Sequence, residues 1–152
     1  MPGKIYLRKH ILRMDPRLNP DMLFAFGDNM LRRGLGGQAK EMRGEPNAVG
    51  IPTKWSPLTT NEAYFSNFDF QNARVRGAIN SAFERLTNHL NQDKNLVFPL
   101  DGIGTGLSQL EYRAPEILRY IELNIRRLYQ ITESPTPVGA EANNPSDPIF
   151  RN

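Results

Sequence analysis

Two short apolar runs, each ending in a glycine-rich stretch, constrain this chain more than any other feature. The first reads Leu23-Phe24-Ala25-Phe26-Gly27-Asp28-Asn29 and continues, after Met30, into Leu31-Arg32-Arg33-Gly34-Leu35-Gly36-Gly37-Gln38-Ala39. The second reads Leu96-Val97-Phe98-Pro99-Leu100-Asp101 and continues into Gly102-Ile103-Gly104-Thr105-Gly106-Leu107. Apolar runs of this length suit buried strands. Glycine lets backbone N–H groups approach and face an anion with no Cβ in the way. A helix that opens just after such a turn adds its positive end. Two of these turns in one small domain predict a diphosphate or nucleotide ligand held between them.

The 152 residues suffice for one domain with a sizeable core. The absence of cysteine excludes a disulfide framework and thiolate metal sites, and fits a reducing compartment. No N-terminal apolar run resembles a signal peptide, and none in the chain is long enough to span a bilayer. A cytoplasmic protein with no membrane partner is therefore expected. The net charge is +3, with Lys4, Arg8, Lys9, Arg13 and Arg17 crowded near the start. Arginines suit a phosphate-bearing small ligand. A nucleic-acid partner is the weaker alternative, because the basic stretch has no dense Lys/Arg run and no interleaved aromatic residues.

Periodicity divides the chain further. Ile5 to Leu12 reads as a first strand at a sheet edge, and Asp15-Pro16 with Asn19-Pro20 as a loop. Met22 to Phe26 predicts a buried strand, Gly36 to Arg43 a short helix, and Ala48 to Ile51 a strand stopped by Pro52. Thr53 to Phe70 is irregular. Val75, Ala78, Ile79, Ala82, Phe83, Leu86 and Leu90 recur at helical spacing. Asn95 to Leu100 predicts another buried strand. Ala114, Ile117, Leu118, Ile121, Ile125 and Leu128 mark a second long helix, with Pro115 in its first turn. Ser108 with Glu111 has the spacing of a cap. The expected organisation is a domain over residues 1–131 and a flexible tail over 132–152. Alternating strands and helices imply an α/β fold. In such sheets ligands sit beyond the carboxyl ends of the strands, where both glycine turns leave.

Two common phosphate motifs do not fit. Gly34-Leu35-Gly36-Gly37-Gln38-Ala39 has the letters of a dinucleotide fingerprint. However, its glycines do not follow the strand directly, and the next strand ends in Pro52-Thr53-Lys54 with no ribose-binding acid. Neither turn supplies the Gly-Lys-Ser/Thr of a P-loop.

The order strand, Asp28-Asn29, glycine pair, short helix, then a later strand with Gly104-Thr105-Gly106-Leu107-Ser108-Gln109-Leu110 resembles the macro domain family, which binds ADP-ribose. The resemblance covers Leu23 to Ala39 and Leu96 to Leu128. It is closest to the small phage-type macro proteins that act as ADP-ribose-1''-phosphate phosphatases, and Asn47-Ala48-Val49-Gly50-Ile51-Pro52-Thr53-Lys54 is similar to that branch. It implies a three-layer α/β/α domain with a mixed central sheet. It also implies a phosphatase that hydrolyses the phosphate monoester on the distal ribose, with ADP-ribosyl hydrolysis or non-catalytic ADP-ribose reading as alternatives. Asn29 then matches the residue that hydrogen-bonds the distal ribose. Gly36 and Gly37, followed by Gln38, match the stretch against the ribose and diphosphate. Gly104, Thr105, Gly106 and Leu107 match the phosphate loop, with Gly102 and Ile103 leading into it. The first stretch departs from an unbroken glycine triplet, Asp101-Gly102 extends the second, and the adenine-contacting acid of many macro domains has no placed counterpart.

Residue chemistry fills in the rest. An amide offers both a donor and an acceptor, so Asn29 can read two hydroxyls or, equally, cap its own turn. Asp28 or Asp101 can orient a water, or cap local N–H groups. Lys54 can neutralise a terminal phosphate. Trp55 can stack on adenine or anchor its loop. His10 and His89 lie outside both turns, and a surface or capping role is expected for His89. With no metal-ligating cluster visible, turnover without a metal or cofactor is expected.

Overall fold

The computed structural model describes residues 1–132 and the backbone of 136–137. Strand β1 (Ile5–Arg8) leads through a five-residue helix α1 (Met14–Leu18) to β2 (Leu23–Asn29). Helix α2 (Ala39–Met42) connects β2 to β3 (Ala48–Lys54). Two 3-10 turns (Asn61–Ala63 and Asn67–Gln71) precede the long helix α3 (Ala73–Asn91) and β4 (Leu96–Pro99). A further 3-10 turn (Gly106–Ser108), a short α4 (Leu110–Arg113) and the long α5 (Pro115–Ile131) follow, and β5 (Thr136–Pro137) returns to the sheet.

The sheet order is β3-β2-β4-β1-β5, and every strand pairing is parallel. The chain is thus α/β, and the described strands do not form the mixed sheet expected from the sequence. The reason lies in the connections: each crosses back over a face of the sheet through a helix, so every strand runs the same way. Nor does β1 lie at an edge, because β4 and β5 flank it. Apart from Thr132 and the β5 backbone, the expected tail lies outside the described residues.

Side chains alternate between two apolar clusters. Leu23 and Ala25 of β2 join Leu96 and Phe98 of β4 against Ile79, Leu86, Ile117 and Ile121 of the two long helices. Phe24 and Phe26 join Val97 against Ala39 and Met42 of α2. Period-two burial along the inner strands therefore covers both sheet faces. No described helix is long and apolar enough to cross a membrane.

Several local departures have physical causes. Asp15-Pro16 is helical rather than loop, because in a five-residue helix the proline sits in the first turn, where its missing N–H costs nothing. Asn47 Nδ2 lies 3.0 Å from each of the Pro16, Asn19 and Met22 carbonyls, gathering the connection from α1 to β2. Pro52 does not stop β3, since β3 is an edge strand and the side that lacks an N–H needs no partner. At the carboxyl end of β3 the register slips: Asp28 pairs with Pro52 but Asn29 with Lys54. Thr53 is the extra residue of this bulge, and its hydroxyl donates to the Asp28 carbonyl at 3.0 Å.

Helix α3 begins where Asn72 accepts hydrogen bonds from the Arg74 and Val75 N–H groups, at 2.9 and 3.2 Å. Replacing Asn72 by Ala should lower stability by about 1 kcal/mol, while Asn72→Ser restores most of the loss. Urea unfolding followed by circular dichroism measures both variants, and equal stability of Asn72→Ala and wild type would remove the cap from this account.

Candidate ligand cleft

β2 and β4 are hydrogen-bonded neighbours, with Leu23 opposite Leu96 and Phe24 opposite Val97. From β2 the chain crosses one face to β3. From β4 it crosses the other face and passes β1 to reach β5. The connections diverge between these two strands, leaving a crevice at their carboxyl ends. The two glycine turns leave at that crevice and line one cleft of about 640 Å³, a size suited to a cofactor-sized ligand. Gly36, Gly37 and Gln38 lie on one side, and Gly104, Thr105 and Leu107 on the other. A Cβ on Gly37 would come within 3.3 Å of Leu107 Cδ1, so the loops touch.

Gln38 ties the loops to the sheet. Its Oε1 accepts from the Gly27 N–H at 2.7 Å, and its Nε2 donates to the Gly102 carbonyl at 3.2 Å. Among the described residues, the N–H groups of Gly36, Gly37, Gly104 and Thr105 have no hydrogen-bond partner. Gly104 adopts φ +93°, and a Cβ there would sit 2.5 Å from Leu110 Cδ1. Only glycine fits this position. The helices behind the turns are four residues each, α2 and α4, so they add little dipole. Ser108 does not cap α4; its hydroxyl turns back to the Gly104 carbonyl.

Asp28 and Asn29 end β2 at the cleft floor, and both are buried. Asp28 accepts two hydrogen bonds from Arg43, Nη2 to Oδ1 at 2.6 Å and Nη1 to Oδ2 at 2.9 Å. It also accepts from the Asn29 N–H at 2.8 Å, and Arg32 lies 3.7 Å away. A Cβ on Gly50 would sit 2.5 Å from its Oδ2. The carboxylate is thus enclosed by donors and is not free to take a proton from water. Arg43 also donates to the Arg33 carbonyl at 2.9 Å and the Gly34 carbonyl at 3.2 Å. Asn29 closes the same turn, its Nδ2 donating to the Arg33 carbonyl at 2.7 Å and its Oδ1 accepting from the Arg33 N–H at 3.4 Å. One proton on Nδ2 and one lone pair on Oδ1 are left for a ligand.

The remaining sequence candidates divide. Lys54 lines the cleft, its ammonium donating to the Leu58 carbonyl at 2.7 Å. Burial, and after it the nearby Arg113 charge, pushes the Lys54 pKa below the ordinary value of 10.5. Asp101 is exposed and lies outside the cleft, bordering a small apolar recess with Lys9 and Pro99. Its carbonyl accepts from the Thr105 hydroxyl at 3.2 Å. Trp55 also lies outside the lining. Its ring meets Phe65 edge-on at 5.3 Å, and Nε1 donates to Asp69 at 3.2 Å, so it anchors the loop rather than offering a face to a base. Gly102 and Ile103 sit behind the lining, Ile103 in the main core. His89 binds the Asp21 carbonyl at 2.8 Å near the amino end of β2, and burial lowers its pKa from 6.5. Sequence reasoning missed Arg33, Thr53, Tyr64 and Gln109 in the lining, and Arg43 beneath it. Only Gln109, following the Gly-Thr-Gly stretch, carried a local signal.

The basic N-terminal residues are largely committed elsewhere. Arg8 is buried 3.4 Å from Asp15, and Arg13 and Arg17 hold Glu45 at 2.7 and 3.1 Å. The Arg17 hydrogen bond, more than that of Arg13, keeps the Glu45 carboxyl below its ordinary 4.5.

A family model matches residues 6–124, a span that includes every cleft residue, and the chain belongs to that family, DUF7831, a family of unknown function. No curated protein and no solved structure matches it.

The Asp28–Arg43 pair generates a stability prediction. Arg43→Met should cost about 3–5 kcal/mol, because it strips a buried carboxylate of its main partner. The double variant Asp28→Asn/Arg43→Met should recover a large part of that loss. Chemical denaturation of the three proteins checks this, and additive losses in the double variant would refute the coupling.

Proposed function

We propose that this chain is a macro-like domain whose cleft binds ADP-ribose or a close derivative, and that its reaction is removal of the terminal phosphate from ADP-ribose-1''-phosphate. One observation carries the reading. Two glycine turns from adjacent parallel strands meet across a single cleft, and four N–H groups along it lack partners among the described residues. Such N–H groups complement a diphosphate without the desolvation cost of a buried cation. Arg33 and Lys54 add positive charge to the lining, whereas Asp28, the one acid in it among the described residues, is already paired. A basic N-terminal face for nucleic acid is disfavoured, since Arg8, Arg13 and Arg17 serve internal pairs.

In this reading, the glycine loops hold the diphosphate and Asn29 contributes its remaining donor and acceptor to the distal ribose. Lys54 offsets charge on the terminal phosphate. Phosphoryl transfer passes through a loose transition state, for which positioning and electrostatic stabilisation supply most of the rate. An ionised base beside the attacking water is therefore not essential. That suits a cleft whose one carboxylate among the described residues is locked to Arg43. The same locked carboxylate favours a second reading, a reader that binds ADP-ribose and turns nothing over.

Calorimetry with ADP-ribose, combined with phosphate release from ADP-ribose-1''-phosphate, separates these. Binding with release that survives excess chelator supports the phosphatase. Binding alone supports the reader, and no binding ends both. Gly36 supplies the structural control, because a Cβ there meets nothing within 4 Å. Gly36→Ala should fold normally yet weaken ADP-ribose about tenfold or more by crowding the loop N–H groups. Unchanged affinity would mean that the ligand lies elsewhere.

The Lys54 charge sets a pH dependence. Phosphate binding favours the ammonium form, so kcat/KM should hold level through neutral pH. It should fall as pH rises through the Lys54 pKa, with a midpoint below 10.5. Lys54→Arg should extend the plateau upward. A wild-type profile that stays flat into the ordinary lysine range would remove Lys54 from the reacting phosphate.

A further inference from the structure

Positive charge gathers around one residue of the cleft lining. Tyr64 lines the cleft, with the Lys54 ammonium 4.3 Å and the Arg113 guanidinium 4.0 Å from its ring centroid. Arg113 reaches that ring from α4, beside the lining. Its Nε donates to Gln109 Oε1 at 2.7 Å, and its two terminal nitrogens lie 3.4 Å from Asn61 Oδ1. Neither cation has a carboxylate within ion-pair distance among the described residues. The two charges sense each other, since Arg113 contributes to the lowered Lys54 pKa. Gln109, which lines the cleft and holds Arg113, has φ +55°, a left-handed conformation that costs a residue with a Cβ free energy. Like charges beside one ring, with polar and aromatic partners but no carboxylate among the described residues, repel each other. An anion relieves them.

We infer that Lys54, Tyr64 and Arg113, with Gln109 orienting the guanidinium, form a subsite for a phosphate-monoester dianion, separate from the glycine loops that take the diphosphate. Beyond their contacts to Asn61 and Leu58, Arg113 keeps one N–H on each terminal nitrogen and Lys54 keeps two, a donor set with capacity for three non-bridging oxygens of a tetrahedral dianion. A carboxylate has two oxygens and one charge and leaves part of that donor set unused. Arg113 becomes a binding residue that selects a phosphorylated over an unphosphorylated ligand. Tyr64 holds both cations in place through its ring face. The inference rests on the proposed function only for the identity of the diphosphate neighbour, since the monoester site stands on its own contacts.

Two probes keep these ideas apart. Phosphorus NMR titration with inorganic phosphate reads the subsite, and calorimetry with ADP-ribose reads the glycine loops. Arg113→Gln should weaken phosphate about tenfold or more while leaving ADP-ribose within about twofold, and Arg113→Lys should recover part of the phosphate affinity. Acetate should bind wild type more weakly than phosphate. Phosphate binding that depends on Arg113 in a protein that ignores ADP-ribose supports the subsite and overturns the ADP-ribose reading. Absence of phosphate binding by wild type, equal loss of both probes in Arg113→Gln, or no loss of either would overturn the subsite. Thermal melting verifies that both variants remain folded, and Gln109→Gly supplies a second route. It removes the orienting amide while relaxing φ, so it should weaken phosphate even as it stabilises the loop, and unchanged phosphate affinity there also counts against the assignment.

Discussion

The bidentate contact between Asp28 and Arg43 sets the shape of the cleft. Fifteen residues separate the partners, and the first glycine loop occupies the interval. Arg43 reaches across that loop, binding the Asp28 carboxylate with two nitrogens and the Arg33 and Gly34 carbonyls with the rest of its fork. Around it, Gly50 leaves room for the carboxylate, Thr53 fills the bulge in β3, and Asn29 closes the turn that follows. A buried ion pair of this kind adds little net stability compared with apolar side chains of the same volume, yet removing one partner is costly. Its main consequence is conformational. It fixes the Arg33 and Gly34 carbonyls at the start of the glycine loop.

That constraint also explains which parts were legible in the sequence. The inner strands and the two long helices follow from local pattern: Leu23 to Phe26 and Leu96 to Pro99 as buried runs, Val75 to Leu90 and Ile117 to Leu128 at helical spacing. The meeting of the glycine turns follows from their both leaving strands at one end. Long-range pairing was not legible. Asp28 at a strand end reads as a base or a cap, and nothing near residue 28 announces a guanidinium at residue 43. Parallel pairing throughout depends on how each helix crosses the sheet, which short-range pattern does not encode. Pro52 signals a strand end only if the strand is interior, and sheet order decides that. Trp55 and Asp101 illustrate the same limit. Each lies next to a cleft segment in sequence but outside the lining: Trp55 is held by Asp69, and Asp101 is exposed, neither of which sequence proximity reveals.

The electrostatic layout follows from the same packing. The cleft floor contains an acid already paired with Arg43, while the lining carries Arg33, Lys54 and backbone donors that have no partner among the described residues. Backbone N–H groups supply partial charges fixed by the fold. Side-chain cations supply full charges that cost more to desolvate and respond to pH. A diphosphate is a constant anion across the neutral range, and fixed partial charges suffice for it. A terminal monoester is more highly charged and is where bond order changes during hydrolysis. Full charges placed there act more strongly on the transition state than on the ground state. In the proposed reading, the two glycine loops and the cations gathered around Tyr64 would divide one ligand between positioning and charge stabilisation. Such a division needs no ionised carboxylate near the reacting phosphorus, where it would repel the substrate. In that reading, the Asp28–Arg43 pair would meet the requirement while keeping the residue at the strand end, where the backbone turns.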